Sequence, residues 1–188
     1  MTRKRAIVIT CIFAAAIIAA ACLIYAQAKP FKLPDLPAIT PGYYRVTEVV
    51  DGDTIHVDMN GKNETVRFIG VDTPETKKPN SPVQCYGPEA SAYTKQTLTG
   101  KSVRLEADPL DDNRDRYGRL LRYIYLQDGS LLEESLIAQG YGFAYVSFPF
   151  GKKDELAKLQ EQARGAKIGL WARCTPKQSG ERWLSNDL

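Results

Sequence analysis

Hydrophobic and polar positions alternate in three short segments between residues 43 and 69, a pattern typical of half-buried β-strands. The segments are residues 43–50, 54–59 and 64–69. Asp51-Gly52 separates the first two segments and Asn60-Gly61 the last two, and both dipeptides favour tight turns. The pattern therefore predicts a three-stranded antiparallel meander.

Two further segments, residues 102–106 and 120–125, have the composition of strands, and Asp128-Gly129 marks a turn after the second. The chain between and after these strands has the pattern of helices. Five short strands interspersed with helices predict an α+β domain, mainly β, built on a small five-stranded barrel.

Three helices are predicted. The first begins at Gly87-Pro88-Glu89, with proline and a carboxylate in its first turn, and runs towards Gly100. Ser130 to Glu133 has the spacing of a capping box, and Gly140 would end the helix that follows. The third helix is expected from Lys152 to about Ala166, where apolar residues recur at helical spacing.

The N-terminus resembles an export signal. Basic residues at 3–5 precede an uncharged run at residues 6–25 that is apolar except for Thr10, and Ala26-Gln27-Ala28 fits a signal-peptide cleavage site. A run of 20 residues is also long enough to span a bilayer. The pattern fits a cleaved signal peptide, an uncleaved anchor or lipidation at Cys22. All three place the folded domain on the outer side of the membrane. We expect a leader at 1–28, a proline-rich linker at 29–41, a folded domain at 42–175 and a C-terminal tail at 176–188.

The charge balance argues against a strongly basic, non-specific coat for DNA. The chain has 25 Lys and Arg residues against 22 Asp and Glu. The leader holds three of the basic residues and no acidic one, so the rest of the chain is neutral, with 22 of each sign. Affinity for a polyanion must therefore come from local clusters of charge. The single histidine, His56, excludes chemistry that needs two.

The cysteines agree with export. Cys11 and Cys22 lie in the leader, which leaves Cys85 and Cys174 in the exported domain. In an oxidising compartment two thiols indicate one disulfide. Two buried free cysteines are the alternative.

Three charged clusters at strand ends and turns carry the candidate chemistry. They are residues 51–54, 67–75 and 115–119. The meander would bring Asp53 and Asp72 together, and clustered carboxylates favour a hard cation such as Ca²⁺ or Mg²⁺. Arginines beside such a site suit a phosphate, and Glu75 is placed to act on a water molecule. The combination favours phosphodiester hydrolysis, although turn residues and surface ion pairs would have the same spacing.

Four motifs resemble the thermonuclease (staphylococcal nuclease) family, in the same order. They are Val50-Asp-Gly-Asp-Thr54, Arg67-x-x-x-Val-Asp-Thr-Pro-Glu-Thr76, Tyr86-Gly-Pro-Glu-Ala-Ser91 and Asp115-Arg-Tyr-Gly-Arg119. The resemblance extends over residues 43–173. It implies a five-stranded OB-fold barrel with three helices and a Ca²⁺-dependent endonuclease that acts on DNA and RNA and leaves 3′-phosphate ends.

The resemblance also implies roles for particular residues. The metal ligands would be Asp53, Asp72 and the carbonyl of Thr73. The catalytic residues would be Arg67, Glu75 and Arg119. Glu75 would orient or deprotonate the attacking water, and the arginines would neutralise charge on the phosphoryl group.

The substrate-binding residues implied by the resemblance are Arg116, Tyr117 and Tyr145. A third tyrosine position of the family falls on Ser147, with Phe148 next to it. We expect single-stranded or locally open DNA and RNA to be preferred, a monomer, and membrane contact only through the N-terminal segment. The alternatives are a nucleic-acid-binding or protein-binding module that has lost catalysis, and a purely structural secreted domain.

Overall fold

The computed structural model describes residues 42–77 and 82–188. The predicted leader and linker lie outside the described residues, as do residues 78–81 of the loop after Glu75. Within the described ranges, no helix combines the length and the apolar composition needed to cross a bilayer.

A closed five-stranded barrel forms the centre of the domain, in the strand order β1-β2-β3-β6-β5. Its strands are β1 (Tyr43–Asp51), β2 (Thr54–Met59), β3 (Lys62–Phe68), β5 (Ser102–Glu106) and β6 (Leu120–Tyr125). Neighbouring strands pair antiparallel, except that β3 and β6 are parallel. The predicted five-stranded OB-fold barrel, mainly β, is confirmed.

The meander forms because its turns and its apolar positions agree. Asn60 and Gly61 have φ angles of 58° and 86°, which the turn between β2 and β3 requires. Ile55, Val57 and Val66 alternate with polar residues and are fully buried inside the barrel. Burial of these side chains fixes the register, because a slip by one residue would turn them towards solvent.

Three helices and a fourth short one surround the barrel. They are α1 (Gly87–Leu98), α2 (Leu132–Ala138), α3 (Lys153–Gly165) and α4 (Leu170–Arg173). The first three were predicted from the sequence; α4 is a single turn with too few residues to show a pattern.

The predicted capping box at the start of α2 is wrong. No side chain caps this helix, whose N-cap residue is Leu131. Ser130 instead donates its hydroxyl and its N–H to Asp128 Oδ1, at 2.6 and 2.9 Å. Glu133 is fully buried, and its two carboxylate oxygens accept the N–H of Ile124 at 3.1 and 3.2 Å. Glu133 therefore binds β6 and does not cap α2, contrary to the prediction from the local sequence pattern.

Two small sheets complete the described part of the chain. The first pairs β4 (Val71–Asp72) with β7 (Phe143–Ala144). The second is a hairpin of β8 (Lys177–Ser179) and β9 (Arg182–Leu184), within the segment that the sequence analysis sets apart as a tail. A disulfide joins Cys85, just before α1, to Cys174, at the end of α4.

Candidate active site beside the barrel

Asp53 lies in the turn between β1 and β2 and is only 7% exposed. Its Oδ2 accepts two hydrogen bonds from Thr73, from the N–H at 2.7 Å and from the hydroxyl at 2.9 Å. The main chain of Thr73 is thereby attached to the carboxylate of Asp53, although the two residues are 20 positions apart.

Gly52 makes this approach sterically feasible. A Cβ atom at this position would lie 2.7 Å from Thr73 Oγ1, the atom that donates to Asp53. On the other side of the turn, the hydroxyl of Thr94 in α1 donates to the carbonyl of Gly52 at 2.7 Å. The turn is therefore held between the Thr73 segment and a helix, with no room for a side chain.

Arg67 joins the two carboxylates that the sequence predicted to approach one another. Its Nη1 lies 2.7 Å from Asp53 Oδ1 and its Nη2 lies 2.9 Å from Asp72 Oδ1. Its side chain is only 12% exposed. Burial alone would lower the pKa of Arg67, but the negative charges of Asp53 and Asp72 outweigh it and raise that pKa. Arg67 therefore stays charged in a partly dehydrated position.

Glu75 follows β4 by three residues, and its carboxylate is held by its own loop. Oε1 accepts the N–H groups of Thr76 at 3.0 Å and Lys77 at 2.9 Å. The Thr76 hydroxyl donates to Asp51 Oδ1 at 2.8 Å, which connects this loop to the end of β1. Burial raises the pKa of Asp51 to about 6, and the hydrogen bond from Thr76 opposes the shift.

Arg119 is fixed by the turn that precedes β6. Its Nε and Nη2 lie 2.7 and 2.6 Å from Asp115 Oδ2, and its N–H donates to Asp115 Oδ1 at 3.0 Å. Gly118, with φ of 81°, allows the chain to return to Asp115 within four residues. Burial acts to raise the pKa of Asp115, but the hydrogen bonds from Arg119 hold it below its ordinary value.

A cleft of about 480 Å³ is lined by both Arg67 and Arg119, whereas Asp53, Asp72 and Glu75 are not among the described residues that line it. Arg116, Tyr117, Tyr145 and Phe148 are among its other lining residues. The predicted substrate-binding residues thus share one cleft with both predicted catalytic arginines, Arg67 and Arg119. A base or a phosphate in this cleft would meet aromatic rings and guanidinium groups together.

Two aromatic residues of the cleft, Tyr117 and Phe148, are exposed to solvent. Tyr117 is 69% exposed, and Arg116 donates to its hydroxyl at 2.7 Å. Phe148 is 53% exposed, and its ring lies edge-on to that of Tyr145 with 5.5 Å between centroids. Phe148 lines the cleft, whereas Ser147 is not among the described residues that line it.

The oxygen atoms available here fit a hard cation that takes only some of its ligands from the protein. Asp53 and Asp72 supply carboxylate oxygens, and the main chain of Thr73 is attached to Asp53. Ca²⁺ accepts carboxylate, carbonyl and water oxygens together. In the described ranges no group of three or more His, Cys, Asp and Glu residues is arranged to hold a metal. Two carboxylates and a carbonyl would leave the remaining coordination positions to water or substrate.

Comparison with known proteins decides the family. The family model for staphylococcal nuclease homologues matches residues 65–173. A thermonuclease of Staphylococcus hyicus is 43% identical over 162 residues, which cover 86% of this chain and 94% of that protein. The chain belongs to the staphylococcal nuclease family.

Two other known proteins are also similar to this member of the staphylococcal nuclease family. A thermonuclease of Staphylococcus intermedius is 44% identical over 131 residues, which cover 69% of this chain and 76% of that protein. Endonuclease YncB of Bacillus subtilis is 47% identical over 126 residues, which cover 66% of this chain and 59% of that protein.

In this staphylococcal nuclease family member, one residue beside Asp72 was not predicted from the sequence. Arg182 in β9 donates to Asp72 Oδ2 from Nε at 3.2 Å and from Nη2 at 2.9 Å. The two residues are 110 positions apart, and the segment around Arg182 has no motif that would signal the contact. The matched family region ends at residue 173, before this segment begins.

Proposed function

We propose that this protein is an exported, Ca²⁺-dependent endonuclease that cleaves DNA and RNA with little sequence specificity and leaves 3′-phosphate ends. Membership of the family makes the chain a hydrolase that acts on nucleic acids. The dependence on calcium, the range of substrates, the export and a monomeric state belong to the proposal.

One observation carries the proposal. Arg67 contacts both Asp53 and Asp72 and also lines the cleft that contains Arg119. A phosphate bound beside Arg67 would therefore lie between a pair of carboxylates and a second guanidinium. A binding module without catalysis would have no need to keep this whole set in one place.

Asp53, Asp72 and the carbonyl of Thr73 would hold the ion. When bound, Ca²⁺ would neutralise charge that develops on the phosphoryl oxygens. Arg67 and Arg119 would do the same from the protein, because a planar guanidinium matches two oxygens of a phosphate. Both arginines are already oriented by carboxylates, so little reorganisation is needed when the substrate binds.

Glu75 would orient the attacking water and accept its proton. The N–H groups of Thr76 and Lys77 fix one carboxylate oxygen, Oε1. This contact restricts rotation of the carboxylate, so the position of Glu75 would change little when the substrate and the water bind. Attack on phosphorus would then be in line with the departing 5′-oxygen.

Export is supported by the N-terminal pattern and by the disulfide between Cys85 and Cys174. Single-stranded or locally open substrates suit the cleft, because bases released from a duplex can stack on Tyr117, Tyr145 and Phe148.

Hydrolysis of denatured DNA by the Glu75→Gln and Arg119→Ala variants tests the proposal. We expect the turnover number of each to fall by about a hundredfold or more, as is usual for loss of a positioned base or of charge stabilisation. Glu155→Gln, at an exposed position of α3, is the matched control and should retain full activity. Full activity in a folded Glu75→Gln or Arg119→Ala protein would overturn the mechanism. A wild-type protein that binds DNA with calcium but does not cleave it would indicate the binding module instead.

A further inference from the structure

The segment after the disulfide is built onto the domain. The N–H of Cys85 donates to the carbonyl of Asn186 at 2.7 Å, and the hydroxyl of Ser185 donates to the carbonyl of Cys85 at 2.8 Å. The ring of Trp183 in β9 packs edge-on against Trp171 in α4, with 5.1 Å between centroids. These contacts hold the β8–β9 hairpin in a defined position.

The same segment braces the loop that carries Glu75. Asp187 pairs with Gln84 in an antiparallel bridge. Gln84 in turn exchanges hydrogen bonds with Glu75: its side-chain oxygen accepts the N–H of Glu75, and its own N–H donates to the Glu75 carbonyl, both at 2.9 Å. The C-terminal segment is therefore attached to the predicted site on the Glu75 side as well as at Asp72.

Arg182 is the residue of the hairpin that reaches the carboxylates. Its Nε and Nη2 share Asp72 Oδ2, while Arg67 occupies Oδ1 of the same carboxylate. The guanidinium carbon of Arg182 lies 5.4 Å from the ring centroid of Tyr145, which lines the cleft. Arg182 thus lies between the carboxylate of Asp72 and the aromatic ring of Tyr145.

The contact with Asp72 leaves much of Arg182 available. A guanidinium has five N–H donors, of which the bonds to Oδ2 use one on Nε and one on Nη2. The side chain is 48% exposed, against 12% for Arg67. An ion pair this exposed adds little to stability. Its position beside Tyr145, which lines the cleft, is therefore better explained by contact with a ligand than by a need of the fold.

Charge favours an anionic ligand. Asp53 and Asp72 are balanced by Arg67 and Arg182, so the cluster would become positive when a divalent cation binds. The chain after the leader has no net charge, so attraction for a polyanion has to come from such a local concentration.

We propose that Arg182 is a further phosphate-binding residue of this protein, and that the C-terminal hairpin forms one wall of its substrate site. The ligand is a phosphate of the single-stranded nucleic-acid backbone, bound by the N–H groups of Arg182 that the contact with Asp72 does not use. This inference rests on the proposed function, because it assumes that the cleft receives nucleic acid.

Oligonucleotide binding by full-length protein tests the inference without relying on cleavage. Fluorescence anisotropy would follow a short labelled oligodeoxythymidine in calcium, with Glu75→Gln as the common background. Adding Arg182→Ala should weaken binding by about tenfold, the usual size of a lost charged hydrogen bond. The slope of log affinity against log salt should become shallower by about 0.7, the value for one phosphate contact on a single strand. Arg182→Lys should fall between the two proteins, because it keeps the charge without the planar fork.

Arg104→Ala is the matched control. Arg104, on β5, also pairs with a carboxylate, Glu106, and lies 4.0 Å from the ring centroid of a tyrosine, Tyr125. Neither of these two partners lines the cleft, whereas Tyr145 beside Arg182 does. The Arg104→Ala substitution removes the same charge as Arg182→Ala. It should leave both the affinity for the oligonucleotide and the salt slope unchanged.

Turnover in the wild-type background separates the inference from the proposed function. In a protein with Glu75 intact, Arg182→Ala should raise KM by about tenfold while kcat changes less, because the lost contact is to bound substrate. Wild-type protein that fails to cleave would contradict the proposed function whatever the Arg182 data show. Wild-type cleavage with equal salt slopes for Arg182→Ala and Arg104→Ala would overturn the inference. Tighter binding by Arg182→Ala, or a change in its thermal midpoint alone, would also overturn it.

Discussion

At the scale of single residues, the site depends on side chains that are held before any substrate arrives. Asp53 is fixed by Thr73, Arg67 by two carboxylates, and Arg119 by Asp115. Each of these contacts joins charged or strongly polar groups in a partly dehydrated place, where such interactions are stronger than in water. Gly52 adds a steric constraint to the site, because a Cβ atom there would lie 2.7 Å from Thr73 Oγ1.

Gly52→Ala should damage the metal site specifically. The added Cβ would displace the Thr73 hydroxyl, which lies 2.7 Å from its position. We expect the free energy of unfolding to fall by about 1–3 kcal/mol and the calcium-induced rise in melting temperature to shrink. Gly165→Ala is the control, because a Cβ there meets nothing within 4 Å. Thermal denaturation with and without calcium measures both effects. An unchanged calcium-induced shift in Gly52→Ala would contradict the assignment of Asp53 and Thr73.

Phe148→Ala should weaken substrate binding. Phe148 is half exposed, lines the cleft and extends the aromatic surface of Tyr145. Loss of one base-stacking ring should raise KM for denatured DNA by about tenfold with little change in kcat. Ile168→Ala removes another exposed apolar side chain and serves as the control. Steady-state kinetics would decide, and equal KM values in Phe148→Ala and wild type would exclude stacking at this position.

Much of the site could be predicted because its residues lie in turns next to short local motifs. Asp53 and Arg67 lie at the ends of meander strands that alternate clearly, and Asp72 follows Arg67 by five residues, so the meander brings the three together. Arg182 could not be predicted, because its contact with Asp72 depends on the tertiary position of a short hairpin. Nothing in the residues around Arg182 specifies that position.

At the scale of elements, α2 and β6 share a buried carboxylate. Glu133 in α2 is fully buried, and its oxygens face the N–H of Ile124 in β6. The capping-box spacing from Ser130 to Glu133 indicated a different contact, since local spacing does not show which face of the helix is buried against the barrel. The pattern located the helix correctly and misassigned one of its side chains.

Glu133→Gln should change how stability depends on pH. Burial raises the pKa of Glu133 well above its ordinary value of 4.5. The folded state then holds a proton that the unfolded state has released, so the stability contribution is full below about pH 4.5 and is lost as pH rises. We expect the melting temperature of Glu133→Gln, relative to wild type, to increase between about pH 5 and about pH 8. Neighbouring groups are Glu134, which raises this pKa, and Lys152, which lowers it.

Glu134→Gln is the control for this measurement, since its side chain is 34% exposed. Its melting temperature should follow that of the wild type across the pH range. A constant difference between Glu133→Gln and wild type at every pH would show that Glu133 has the same protonation in both states.

At the scale of the whole molecule, the disulfide connects the residue before Tyr86 and α1 to the end of α4, just before the C-terminal hairpin. Cys85 and Cys174 are separated by 89 positions, so the bond closes most of the described domain into one loop. The number of cysteines and the expected compartment predicted this bond but did not exclude two free thiols. Spacing along the sequence does not show whether two cysteines lie close together in the fold.

Reduction of the disulfide should lower the free energy of unfolding by about 4–5 kcal/mol, from the loop entropy that it removes from the unfolded chain. Urea denaturation with and without reductant would measure the loss, with the Cys85→Ser/Cys174→Ser protein as a second version of the reduced state. Equal unfolding midpoints for the oxidised and reduced proteins would contradict this role.

The most direct test of the central claim is hydrolysis of denatured DNA by the wild-type protein in calcium and in excess chelator. The account predicts cleavage in calcium, no cleavage in chelator, recovery when calcium is restored, and products that end in a 3′-phosphate. Equal cleavage in chelator, or no cleavage by folded protein in calcium, would contradict the assignment of Asp53, Asp72 and Thr73 as the centre of a calcium-dependent nuclease.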